Sequence, residues 1–225
     1  MKKKNTTEKQ LANIEQGLTK TEQFIEDNSR TLFSIIGLIV FVFIASFGYK
    51  NLYQKPLNNK AQKQLFIAEQ YFEKDSFEIA LNGTNEFEGL IDIIDNYSNT
   101  LSGSLAKYYA GISYLNIGKY KEAIEILDEY KSNDQLLVSI AQIGIGDAFS
   151  ELNQPTEAIE YYKQAIKTYP NSLTSPITLL KCANLYELEG DYENAIKCYE
   201  SIKKDYPESE TAKAMDKYIN SMLYQ

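Results

Sequence analysis

The sequence predicts an all-α protein in which a single N-terminal transmembrane helix precedes an α-solenoid of stacked helix pairs. Two observations support this fold class. Residues 31–49 form an uncharged apolar run, TLFSIIGLIVFVFIASFGY. The chain downstream of this run repeats a pattern of small and aromatic residues at intervals of 37 and 35 residues, and a repeat of this length is typical of helical solenoids.

The apolar run is long enough to cross a bilayer. As a helix it spans roughly 28 Å, about the thickness of the hydrocarbon core. Tyr49, Lys50 and Tyr53 at its downstream edge suit the membrane interface. A cleaved signal peptide is the main alternative, but its apolar core is shorter and lies closer to the N-terminus. We therefore expect a tail over residues 1–30, a transmembrane helix over 31–49 and a linker over 50–60.

Composition excludes several classes of function. The tail carries six basic and five acidic residues, whereas residues 50–225 carry 17 basic and 26 acidic ones. An acidic body argues against nucleic-acid binding, which needs a basic surface. The chain has no histidine, the commonest general base and metal ligand. We expect no enzyme activity, cofactor, metal or small-molecule substrate. Within about 20 residues of the span the Lys and Arg count leans slightly against a cytoplasmic tail, whereas the count over the full tail leans the other way, so charge leaves the orientation open.

The repeated pattern has a fixed order of residue types. A small residue is followed by an aromatic three positions later, then by a helix-ending residue, an alanine, an aromatic or apolar residue and a proline. The small residues are Gly111, Gly146 and Ala183, and the alanines are Ala123, Ala158 and Ala195. This pattern resembles the tetratricopeptide repeat, a pair of antiparallel helices. The resemblance covers three units, over residues 104–137, 139–172 and 176–209.

Each conserved residue type in these units has a physical reason. Small residues in the first helix let the second helix approach closely. Gly118 and Gly190 are expected to take the left-handed conformation that ends a first helix. Pro170 and Pro207 are expected to end second helices, because proline lacks the N–H that the helix needs. The many tyrosines are therefore interpreted as packing residues between units.

The segments on either side of the three units are also predicted to be helical. Residues 61–98 form a degenerate unit, in which Asn82–Asn85 is an insertion and Phe87–Tyr97 resumes a second helix. Residues 208–224 are amphipathic and predict a capping helix, which would cover the open end of the stack.

The candidate binding surface lies on the first helices, next to the small residues. Nine positions are predicted to face this groove, and they are Tyr108, Ile112, Asn116, Ile143, Asp147, Glu151, Leu180, Asn184 and Glu187. None is Lys or Arg, so a clamp for a C-terminal carboxylate is not expected. An apolar and acidic groove suits apolar or basic protein segments.

The two cysteines, Cys182 and Cys198, belong to one unit. They are either apolar core residues or, in an oxidising compartment, an intra-unit disulfide.

The layout of the chain is similar to that of a membrane protein family. Thr21–Asn28 before the span and Gly48–Lys50 at its exit resemble the YfgM-like ancillary subunits of the bacterial SecYEG translocon. Leu105–Gly111 and Ile91–Asp95 resemble single-span tetratricopeptide proteins of Bacteroidetes-like bacteria. The resemblance implies an inner-membrane protein with a cytoplasmic tail and a periplasmic body. Implied partners are translocon subunits, periplasmic chaperones or exported polypeptides, and an envelope or cell-division scaffold is the alternative.

Overall fold

The structure is a computed structural model that describes residues 24–25 and 27–223, with the side chains of 222 and 223 left out. The chain divides into two compact units, residues 1–56 and 57–225. Its architecture is the all-α arrangement that the sequence predicts. Most of the predicted tail, including the residues before Phe24, lies outside the described residues.

The N-terminal unit contains the apolar helix. Helix α1 covers Ser29–Gly48, and a π-helical segment follows over Tyr49–Gln54. None of the residues of α1 is buried. Within the described residues, the helix that starts at Ser29 is the one that is long and apolar enough to cross a membrane.

The predicted linker over residues 50–60 is helical. The π-helical segment is followed directly by helix α2, Lys55–Phe72. Pro56 is the second residue of α2, and its missing N–H removes one donor from the backbone hydrogen bonds of the continuous helix. The wider π-helical turn immediately before it accommodates the interrupted ladder of backbone hydrogen bonds. Residues 50–60 therefore contain no break in the helical backbone.

The C-terminal unit is a series of helix pairs. Three pairs have uninterrupted helices: α5 (Leu101–Asn116) with α6 (Tyr120–Asp128), α7 (Gln135–Glu151) with α8 (Pro155–Thr168), and α9 (Ser175–Leu188) with α10 (Tyr192–Asp205). Each first helix packs against its own second helix, and α7 and α9 also pack against the preceding pair. The second helices α8 and α10 end two residues before Pro170 and Pro207, where the sequence predicts their ends.

The first pair carries the insertion. Its second helix is divided into α3 (Phe77–Asn82) and α4 (Leu90–Tyr97), and a short antiparallel hairpin joins them through β1 (Gly83–Thr84) and β2 (Phe87–Glu88). Gly83 has a φ of 68°, and a Cβ there would lie 2.4 Å from the backbone nitrogen of Gly89. Only glycine allows the two ends of the hairpin to approach this closely. The predicted insertion over Asn82–Asn85 thus forms the first half of this hairpin.

Every pair reverses the chain in the same way. A residue with positive φ follows the small position of the first helix by seven residues, and these residues are Asp75, Gly118, Asn153 and Gly190. The left-handed conformation expected of Gly118 and Gly190 is confirmed, with φ of 76° at both. The same turn at Asp75 identifies the degenerate first pair as a repeat of the same geometry.

The small residues allow close helix packing, as the sequence predicts. A Cβ added to Gly111 would lie 2.3 Å from Cγ of Leu127, and one added to Gly146 would lie 2.5 Å from Cε1 of Tyr162. Leu127 and Tyr162 belong to the second helices and are both buried. The absence of a side chain at the two glycines is therefore what permits the observed distance between the paired helices.

The C-terminal end of the stack is covered by helix. A 3₁₀ turn over Thr211–Ala214 leads into α11, Met215–Leu223, which packs on α10. Met215 is 1% exposed, and the ring of Tyr218 stacks on that of Tyr199 with centroids 5.4 Å apart. The regular helix begins later than residue 208, because Pro207 and the turn after it precede the 3₁₀ segment.

Candidate functional site: the groove of the first helices

The structure gathers four of the nine predicted groove residues around one cavity. Asn116, Asp147, Glu151 and Asn184 line a cavity of about 550 Å³, which we call the middle pocket. It is formed by α5, α7 and α9, the first helices of three successive pairs. Tyr120 and Leu188 also line it.

The other five predicted residues lie away from this pocket. Tyr108 and Ile112 pack against the cluster of Leu127, Tyr130, Ala141 and Ile145, and Ile143 and Leu180 pack against the next cluster along the stack. Glu187 accepts a hydrogen bond from the hydroxyl of Tyr199 on the paired helix. These side chains join neighbouring helices, which leaves less of their surface for a ligand.

Asp147 is the most densely bonded carboxylate of the pocket. Lys181 donates to its two oxygens at 2.5 and 2.7 Å, and the hydroxyl of Tyr162 donates to Oδ1 at 2.6 Å. Lys181 Nζ also lies 5.8 Å from the centre of the Tyr162 ring. Burial, together with this hydrogen bond to Asp147, raises the pKa of Tyr162 well above its usual range. The charge of Asp147 is therefore balanced within the protein, and the three side chains connect α7, α8 and α9.

Lys181 is the charged residue of the pocket that the sequence analysis missed. It lies between Leu180 and Cys182, a position that the repeat pattern assigns to neither the packing face nor the groove. When successive units are superposed, Lys181 falls three residues before the position equivalent to Asp147. In the sequence, the signal for this ion pair was that Asp147 and Lys181 have opposite charges and lie three positions apart when their repeats are superposed.

Glu151 differs from Asp147 in its environment. The hydroxyl of Tyr120 donates to its Oε2 at 3.3 Å. In the described part of the chain, no Lys or Arg forms a salt bridge with it. Leu188, the last residue of α9, also lines the pocket and is 81% exposed. The middle pocket thus combines an unbalanced negative charge with an exposed apolar side chain.

A second cavity lies between the first helices of the first two pairs. This N-terminal pocket has a volume of about 960 Å³ and is bounded by α2 and the start of α5. Phe66 and Leu101 line it and are 59% and 89% exposed. Asn58, Asn59 and Gln62 supply amide groups at its edge. The sequence analysis placed no groove residue here, because the first unit is degenerate and its first helix was not used to define the surface.

Glu69, at the inner wall of the N-terminal pocket, is partly removed from solvent. Burial raises the pKa of its carboxyl group, and the nearby carboxylate of Glu73 adds to this effect. Burial also raises the pKa of Tyr109 to about 12, with a further contribution from Glu69. Burial is the main cause of both shifts, because α2 and α5 pack in the same core cluster.

Both cysteines are buried and carry free thiols in the structure. Burial raises the pKa of Cys182 to about 12 and also raises that of Cys198. The two lie in the same core cluster as Tyr199 and Met215. Among the described residues, no group of three or more His, Cys, Asp or Glu side chains is arranged to hold a metal ion.

Comparison with known proteins supports the helical repeat. Residues 117–224 match the family model of SNAP, the soluble NSF attachment protein. Nearly identical TPR-like repeats of a Podosopora anserina kinesin light chain superpose with a TM-score of 0.54 and 17% identity, over 72% of this chain and 84% of that one. MamA aligns with a TM-score of 0.47 and 18% identity, over 77% of this chain and 87% of that one. No curated protein sequence matches the chain.

These comparisons establish a TPR-type helical repeat domain with the fold of TPR-like proteins. Membership of the YfgM-like family stays a prediction. A fold of this type is suited to protein–protein interaction.

Proposed function

We propose that the protein is a membrane-anchored, non-enzymatic adaptor whose groove binds segments of other proteins. The observation that carries this proposal is the pair of open cavities on the first helices, at one end apolar and in the middle mixed with acidic groups. Grooves of this kind bind peptide segments through apolar anchors and a few polar contacts. The N-terminal helix over Ser29–Gly48 would hold this groove at a membrane.

The resemblance in the span flanks suggests the finer assignment. By this proposal the anchor lies in a bacterial inner membrane, the tail is cytoplasmic and the repeats are periplasmic. The partners would be translocon subunits, periplasmic chaperones or newly exported polypeptides. The small excess of Lys and Arg just after the span leans against this orientation, but long domains translocate largely regardless of charge.

Site-specific photocrosslinking tests the adaptor function. A photoreactive phenylalanine analogue would replace Asn184 or Leu188 in the middle pocket, and Glu160, exposed on α8, is the matched control position. We expect the two groove positions to crosslink to translocon subunits, chaperones or exported chains, and Glu160 not to do so. Crosslinks to lipid alone, or equal crosslinking at Glu160, would contradict the proposal.

A protease experiment tests the orientation separately. Protease added to spheroplasts should digest the repeats if they are periplasmic, and should leave them intact if they are cytoplasmic. Lysed cells provide the control that the repeats are cleavable. Protection in intact spheroplasts would overturn the periplasmic assignment but would leave the groove as a protein-binding surface.

A further inference from the structure

The two pockets of the groove differ in chemistry, and this difference restricts what can bind across them. The N-terminal pocket presents Phe66 and Leu101 as large exposed apolar side chains, and its two charged lining residues, Lys63 and Glu69, have opposite signs. The middle pocket presents Glu151 beside exposed Leu188. A single segment that contacts both pockets would therefore meet an apolar surface first and a negative charge second.

The negative charge of the middle pocket is assigned to one residue. Lys181 occupies both oxygens of Asp147, so neither member of that pair offers a charge to a ligand without breaking the contact. Glu151 receives a hydrogen bond from Tyr120, which does not neutralise it. Leu115 and Leu188 flank the cavity and can contact the aliphatic part of a Lys or Arg side chain. The whole chain has a net charge of −8, so its long-range electrostatic field also attracts a positively charged segment.

The spacing of the pockets can be estimated from the helices that form them. The N-terminal pocket contacts residues 101–105 of α5, and the middle pocket contacts residues 115–116 of the same helix. This separation is about 18 Å along the helix at ~1.5 Å per residue. Perpendicular to the helix axes, the two pockets are separated by about one and a half interhelical distances, or roughly 15 Å. Together the two separations give a distance of about 23 Å between the pockets, which corresponds to about seven residues of extended chain.

We propose that the groove recognises an extended protein segment with two anchors: a bulky apolar side chain in the N-terminal pocket and a Lys or Arg, about seven residues away, beside Glu151. This inference rests on the proposed function and specifies the partner of the same site. Charge complementarity with Glu151 selects a basic segment over an acidic one. Asn116 and Asn184, both exposed at the middle pocket, can hydrogen-bond to the backbone of such a segment.

Selection from a random library tests the two anchors. Twelve-residue random peptides displayed on phage would be selected on the full chain in detergent micelles. We expect enriched peptides to carry a bulky apolar residue and a Lys or Arg about seven positions apart. A synthetic peptide from the enriched set should bind the Glu151→Gln variant about tenfold more weakly, the loss expected for one hydrogen-bonded charge.

Matched variants separate the two anchors from general effects. Glu151→Gln should remove the basic preference and keep the apolar one, whereas Phe66→Ala should do the opposite. Glu157→Gln, an equal change of charge at an exposed position on α8, should alter neither. Enrichment of acidic peptides, or of peptides without a basic residue, overturns the two-anchor inference and leaves the adaptor function standing. Failure to enrich any peptide counts against the proposed function as well.

Discussion

Two glycines in α7 provide a sharp test of the helix packing. Gly144 and Gly146 lie two residues apart in the interior of the same helix, and both are buried. Alanine has a higher helix propensity than glycine, so each Gly→Ala change gains about 1 kcal/mol if the new methyl group fits. The two sites differ in what that methyl group would meet.

At Gly146 the space is already occupied. The added Cβ would lie 2.5 Å from Cε1 and 2.6 Å from Cδ1 of Tyr162, whose ring is 2% exposed. The hydroxyl of Tyr162 is held by Asp147, so the ring cannot move without weakening that bond. Overpacking of this kind costs about 1–3 kcal/mol, and partial weakening of the hydrogen bond to Asp147 adds about 1 kcal/mol, less than the cost of its complete loss. After the propensity gain we expect Gly146→Ala to destabilise the protein by about 2 kcal/mol.

At Gly144 the neighbours can yield. Its added Cβ would approach Cδ1 of Leu127 at 3.1 Å and Cδ1 of Ile112 at 3.2 Å, and both atoms are ends of flexible side chains. We expect Gly144→Ala to be neutral or to stabilise by up to about 1 kcal/mol. The two variants should thus differ by about 2–3 kcal/mol.

Urea unfolding of the full chain, followed by circular dichroism at 222 nm, measures this difference. The repeat array need not unfold in one step, so the comparison is between unfolding midpoints of the two variants under identical conditions. Equal midpoints, or a more stable Gly146→Ala variant, would refute the argument that the absence of a side chain at Gly146 sets the distance between α7 and α8.

Four further outcomes are expected. Cys182 and Cys198 should not react with a thiol reagent at pH 8 in the native protein and should both react in denaturant, because both are buried with raised pKa; rapid native labelling, measured by absorbance, would contradict their core position. Gly190→Ala should cost about 1 kcal/mol in unfolding free energy, although its Cβ would meet nothing within 4 Å, because its φ is 76°; an unchanged urea midpoint would show that the turn relaxes. Glu69→Gln should stabilise the protein at neutral pH, because the raised folded pKa disfavours the charged carboxylate, and the gain should vanish below about pH 4.5, where the wild-type carboxyl is protonated in both states; a gain that persists at pH 4 would exclude this cause. Met215→Ala should lower the unfolding free energy by about 2–5 kcal/mol through loss of buried contacts, and thermal unfolding that matches the wild type would show that α11 does not cap the stack.

Much of the scaffold was predictable because it depends on local properties. The left-handed turns at Gly118 and Gly190 follow from a residue type that adopts positive φ without strain. The close helix contact at Gly111 follows from the lack of a side chain on glycine. The insertion near Asn82 was recognisable as a break in the repeat, but its hairpin was not, because two-residue strands carry no periodic signal.

The groove was predictable only in part. Of the predicted groove residues, Asn116 and Glu151 line the middle pocket, whereas Tyr108 and Ile112 pack between helices. All four lie on first helices within a few residues of a small position, so their order in the sequence does not distinguish them. Which of these faces meets the next pair depends on the rotation between successive pairs, a quantity set by side-chain packing throughout the stack.

The sequence by itself determined the apolar N-terminal helix, the helix pairs and their turns, since each depends on hydrophobicity, residue size or backbone freedom within one short segment. The tertiary structure alone decided that Lys181 neutralises Asp147 and leaves Glu151 as the unbalanced charge of the middle pocket. It also decided that the larger cavity lies beside the degenerate first pair, at Phe66 and Leu101. Both features arise between residues more than thirty positions apart, whose proximity is set by the stacking of whole helices.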